Sequence, residues 1–150
     1  MSRAFVKEDV DPPERSGRTR SASGLPPGAV NYITAAGAQH WRDELKRRQT
    51  DRTANRDRIA ELEELIRSFT VVDLPDDQGS IAFGAKVTVR DVNGAMQAYR
   101  IVGVDELEFY PDAVSWISPI GKALLAAEVG DRLTLADAKV EVVKVEYPID

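Results

Sequence analysis

Ser118-Pro119-Ile120-Gly121-Lys122-Ala123-Leu124-Leu125, followed by Val129-Gly130-Asp131 and closed by Val140-Glu141-Val142-Val143-Lys144-Val145-Glu146-Tyr147, decides the fold of this 150-residue chain. Ser118 and Pro119 read as an N-cap and a first helical position, where proline's missing N–H costs nothing. Ile120, Ala123, Leu124 and Ala127 would make the buried face of a short helix. Gly130-Asp131 then turns the chain into a strand over Arg132–Leu135, and Lys139–Tyr147 alternates as a last strand. Upstream, Ile81–Arg90, Gln97–Val104 and Ala113–Ile117 are further strand candidates. Val87 and Val89, then Tyr99 and Ile101, show period two. Asn93-Gly94 is a hairpin turn between the first two. Strands with one short crossing helix predict an α+β domain.

Before Val71 the periodicity is helical. Thr34 is placed as an N-cap. Ala38, Trp41 and Leu45 share one face, as do Ile59, Leu62 and Leu65/Ile66. No large apolar residue occurs between Lys46 and Arg58. Two apolar stripes separated by a polar run fit an antiparallel hairpin turning near Thr50–Asn55. With no glycine or proline at the turn, one uninterrupted helix fits as well. Met1–Asn31 is rich in proline, glycine and serine and poor in large apolar side chains, so it lacks the burial to offset ordering. The expected organisation is a flexible tail over 1–34, a short helical hairpin over 35–70 and a sheet domain over 71–150.

Composition narrows the function classes. There is no cysteine, which excludes disulfides and thiolate metal sites. No apolar run approaches the ~20 residues of a membrane-spanning helix, and Met1–Val10 lacks the apolar core of a secretory signal. A cytoplasmic chain with no membrane partner is expected. The net charge of −5 is unevenly divided. Residues 1–70 carry 13 Lys/Arg and 11 Asp/Glu, whereas residues 71–150 carry 7 and 14. The basic excess is densest between Arg42 and Arg58. Such a division suits two surfaces meeting different partners; a solvated helix surface is the plainer alternative.

The Ser118–Tyr147 stretch, read with Tyr99-Arg100-Ile101-Val102-Gly103, resembles the C-terminal domain of the bacterial Gre transcript-cleavage factors, GreA and GreB. Ile33–Leu45, with its Thr34-Ala35-Ala36-Gly37, is similar to the Gre start. Ile59–Ile66 and Val71-Val72-Asp73 are similar to the end of the Gre second helix. The resemblance implies an FKBP-like sheet domain preceded by a coiled-coil hairpin. It also implies a partner, bacterial RNA polymerase at the rim of its secondary channel, with nucleic acid of the transcription complex nearby. The family's polymerase-contacting loop falls here on Ile117, Ser118 and Pro119, with Trp116 and Lys122 beside them. Gre proteins commonly carry Asp or Asn where Ile117 stands, so a Trp116-Ile117 apolar anchor is one reading and a core Trp116 with a capping Ser118-Pro119 is the other.

What the chain lacks matters as much. A Gre arm of ~30 residues delivers a tip carboxylate to the polymerase metal, whereas an arm of ~15 residues reaches only about 22 Å. The acidic tip motif is not found, and Asp51 is the only acid close to the turn. The Rnk proteins, relatives of the Gre factors, share this short architecture. The expectation is a non-enzymatic, monomeric elongation regulator with no catalytic residue, metal or cofactor, whose hairpin presents Arg47, Arg48, Arg52 and Arg56 to the channel. The alternatives are a cleavage factor using an unrecognised acid and, by fold analogy alone, a peptidyl-prolyl isomerase. Asp105, Glu106 and Glu108 are read as a solvated acidic loop, and His40 beside Trp41 as packing or surface.

Overall fold

The computed structural model describes residues 25–26, 28–51 and 55–148. Most of the segment read as a tail therefore lies outside the described residues. Its end differs from expectation: Asn31–Thr34 form a strand, β1, with Asn31, Ile33 and Thr34 buried. Thr34 then turns directly into helix α1, Ala35–Thr50, its hydroxyl accepting the Gly37 N–H at 3.1 Å. The cap was legible in the sequence; the strand before it was not.

The choice between a hairpin and one long helix is settled by the backbone at Asp51, which is extended at φ −90° and ψ 115°. The chain re-enters a helix at Asn55, whose side chain accepts the Asp57 N–H at 2.7 Å and caps α2, Arg56–Arg67. An asparagine cap therefore does the work that a glycine or proline would signal. Ala38 of α1 and Leu62 and Leu65 of α2 are buried, and Gln49 reaches Glu63 across the pair at 3.5 Å. Strand β2, Phe69–Val72, follows and pairs in parallel with β1, Asn31 opposite Phe69. This pairing holds the two roots of the hairpin together. It joins residues far apart in sequence over four positions, too few for periodicity to reveal.

The second unit is a five-stranded sheet of β3 (Lys86–Asp91), β4 (Met96–Val102), β5 (Ala113–Ser115), β6 (Arg132–Leu135) and β7 (Ala138–Glu146). Its spatial order is β5-β4-β3-β7-β6. Only the β4–β5 pair is parallel. Helix α3, Pro119–Leu125, crosses after β5. Val87 and Val89 of β3, Ile101 of β4, Val142 of β7 and Leu124 of α3 form the centre of one core. The mixed helix-and-sheet architecture expected from the sequence is thus the one adopted.

The details depart from expectation in two places. Ile81–Ala85 are not strand: Tyr147 holds this stretch as a loop, its hydroxyl accepting the Ala82 N–H at 2.9 Å and donating to the Ser80 carbonyl. Val104–Phe109, read as strand end and acidic loop, is a 3-10 helix. Among the described residues, no helix is long and apolar enough to cross a membrane.

Candidate functional site

Ser118 closes the loop between β5 and α3 from both sides. Its hydroxyl accepts the Gly121 N–H at 3.0 Å and donates to the Ser115 carbonyl at 2.6 Å. Pro119 stands at the first helical turn and is exposed, as is Lys122 one turn on. Gly121 allows this tight return, since a Cβ there would lie 2.1 Å from the Ser115 carbonyl oxygen. The loop's shape is thus fixed by its own hydrogen bonds, and what it offers outward is Pro119 and the Lys122 ammonium.

Trp116 and Ile117 are half-buried. Trp116 packs against the sheet core and meets Tyr32 edge-on, ring centroids 5.1 Å apart at 72°. Its indole Nε1 is enclosed with no hydrogen-bond partner among the described residues. The ring is largely packing, with part of its surface open. Tyr32 precedes Ile33 in β1, so the loop carrying Ser118 and the root of the hairpin share one aromatic seam.

That seam continues through a buried carboxyl. Glu106 is fully enclosed and accepts the Thr34 N–H and the Gly103 N–H, each at 2.8 Å, as well as the Thr34 hydroxyl. Burial pushes its pKa above the ordinary carboxylate range, opposed by these hydrogen bonds and by Arg100. Gly37 is required beside it, because a Cβ there would stand 2.2 Å from Oε1. Asp105 adds two ties to the hairpin root. Its carboxylate accepts from Asn31 Nδ2 at 2.8 Å and its carbonyl from Trp41 Nε1 at 2.7 Å. His40 stacks on Phe109, centroids 3.8 Å apart.

The acidic loop of the sequence is therefore a clamp between hairpin and sheet domain, which corrects its reading as solvated. Only Glu108 of the three acids is exposed. No group of three or more potential metal ligands occurs among the described residues. The signal was present: Gly37 in the first turn of a helix marks a close approach by something, though not by what.

The arginines of the hairpin divide. Glu44 binds both Arg47 and Arg48, the latter at 2.8 Å. Arg48 first, then Arg47, hold the Glu44 carboxyl below its usual range. Arg56 is exposed at the start of α2, and Arg52 lies outside the described residues. Sequence reasoning counted these arginines as one patch and missed the Glu44 pairing, although i,i+3 and i,i+4 spacing announces it. Asp51 is exposed where α1 ends, its N–H donating to the Arg48 carbonyl at 3.3 Å.

Comparison with known proteins supplies the context. A family model described as transcription elongation factor, GreA/GreB, C-terminal, matches residues 76–147. Transcription elongation factor GreB of Neisseria meningitidis serogroup B is 33% identical over 153 positions, covering 78% of this chain and 94% of that protein. That alignment is longer than the whole 150-residue chain, so the relative carries additional residues within the matched span. GreA of Maridesulfovibrio salexigens is 40% identical over 94 residues, 61% of this chain and 57% of its own length. Among solved structures, a GreA/GreB factor from Nitrosomonas europaea aligns at 21% identity and a TM-score of 0.41, over 79% of this chain and 99% of that one.

Proposed function

Because the chain belongs to the GreA/GreB family of transcription elongation factors, we propose that it binds RNA polymerase at the rim of the secondary channel without stimulating transcript cleavage. The observation that carries this is the length of the hairpin. Helix α1 has 16 residues, from Ala35 to Thr50, and the return helix begins at Arg56. At 1.5 Å per residue the arm extends about 24 Å, against about 45 Å for a family arm of ~30 residues. Cleavage requires a carboxylate that helps hold a metal ion at the polymerase active centre, where the metal activates water. A docked arm of this length stops short, and Asp51 at its end has no route to that metal.

In this reading the sheet domain is the FKBP-like anchor and the hairpin a short coiled coil. Pro119 and Lys122 meet the rim, the exposed part of Trp116 and Ile117 adds apolar contact, and Ser118 keeps the loop in shape. The hairpin then faces the acidic, nucleic-acid-bearing channel with Arg47, Arg48, Arg52 and Arg56. A factor of this kind regulates by occupancy, excluding other factors from the channel mouth. The test is competition. The full chain should bind core polymerase and be displaced by rising concentrations of a cleavage-active Gre factor, as two ligands of one site must be. Failure to bind core polymerase, or binding that a Gre factor does not displace, overturns the proposal.

A further inference from the structure

The outer face of the sheet, opposite the core, carries a surface that polymerase docking through the Ser118 loop does not use. Met96, Arg90, Glu141 and Arg132 are successive partners across β4, β3, β7 and β6 and form one row. Lys139 and Thr134 pair beside it. Arg90 and Arg132, with Lys139 and Thr134, line a shallow cavity of about 630 Å³ that also takes in Val92.

Charge is concentrated there against the trend of the domain. Residues 71–150 carry 7 cationic and 14 acidic side chains, yet Arg90, Arg132 and Lys139 gather on this face, against two lining acids, Glu141 and Asp91, of which Asp91 is engaged by the Asn93 and Ala95 N–H groups of the turn. Arg90 is bound to Glu141 at 3.2 Å. Among the described residues Arg132 and Lys139 have no ion-pair partner. Two exposed apolar side chains adjoin these cations: Val92, 82% exposed, follows Asp91, the partner of Val140, and lines the cavity with Lys139, and Met96, 59% exposed, lies across from Arg90. Charged side chains on an edge strand such as β6 are a common guard against unwanted pairing. That role does not account for Lys139, which lies on the inner strand β7, or for the exposed apolar side chains of Val92 and Met96.

We propose that this face binds an acidic segment of a partner protein, laid across the strands with apolar side chains on Val92 and Met96 and carboxylates on Arg132 and Lys139. Three strand spacings separate Met96 from Arg132, about 14 Å, the span of four or five extended residues. A nucleic-acid strand fits less well. Its backbone has nothing to cover Val92 and Met96, and among the described residues lining the cavity there is no aromatic ring on which a base would stack. The surface is separate from the Ser118 loop, so this inference stands or falls independently of polymerase binding.

The experiment uses the full chain and a short synthetic peptide with leucines at one end and three glutamates at the other, followed by backbone amide NMR shifts. The shifts should gather on β6, the start of β7 and the Val92–Met96 turn. Arg132→Glu with Lys139→Glu should weaken binding about tenfold, as expected for two exposed charge contacts. Val92→Ser with Met96→Ser should weaken it at high salt too, where the charge contribution is screened. Both pairs are exposed, and an unchanged melting temperature confirms that the fold is intact. No binding, equal binding by a peptide with serines in place of leucines, or tighter binding of an oligouridylate to the same residues would each overturn the proposal.

Discussion

Thr34 and Glu106, 72 residues apart, are joined twice: the Thr34 N–H donates to Glu106 Oε2 at 2.8 Å, and the Thr34 hydroxyl donates to Oε1. Thr34 is the N-cap of the first hairpin helix, and Glu106 belongs to the sheet domain. The residue that starts the arm is thus held by the body, which sets the direction in which the arm leaves. Removing the carboxyl would strand the Thr34 and Gly103 N–H groups in a buried place. Glu106→Ala should therefore cost about 3 kcal/mol or more, read as a lower urea midpoint. Gly37→Ala should cost about 2 kcal/mol through its clash with Oε1.

The same carboxyl makes stability depend on pH. Burial raises its folded pKa above the unfolded one, so its contribution is complete below the unfolded value and is lost as pH rises through the folded value. The glutamine amide reproduces the protonated form. Glu106→Gln should flatten this fall, gaining on the wild type as pH climbs above the ordinary carboxylate range. Urea midpoints measured across that range, for both proteins, check the sign.

Ser118 and Lys122 separate shape from contact. Ser118→Ala removes the cap of α3 and should cost about 1 kcal/mol of stability. Lys122 is exposed and has no ion-pair partner among the described residues. Lys122→Ala should leave the melting temperature unchanged while weakening polymerase binding. Equal affinity for Lys122→Ala and wild type would remove this lysine from the interface.

Glu44 should act as a brake on the basic hairpin, because it holds both Arg47 and Arg48. Glu44→Ala should strengthen polymerase binding at low salt and lose that advantage at high salt, since exposed charge is screened within about 10 Å at 0.1 M. Replacing Arg47, Arg48 and Arg56 with alanine should do the reverse. Affinities measured at two salt concentrations distinguish this from an ordinary solvated surface.

What could be read from the sequence follows the range of the interactions. The Thr34 and Ser118 caps, the Asn93-Gly94 turn, with Gly94 at φ +86°, and the Val87/Val89 core face are local patterns and were legible. The pairing of Asn31 with Phe69 and the reach of Glu106 to Thr34 depend on contacts across many residues, which no local period encodes. The acid that clamps the hairpin therefore looked like a surface loop. The ring of Trp116 likewise could not be assigned until Tyr32 was seen against it.

The central claim is that the short arm leaves the factor bound but unable to assist cleavage. The direct measurement is the rate of transcript cleavage in backtracked polymerase complexes, with this chain at concentrations that displace a Gre factor. The predicted result is a rate equal to that of polymerase alone, with Asp51→Ala indistinguishable from wild type. Stimulated cleavage that is abolished by Asp51→Ala would contradict the account.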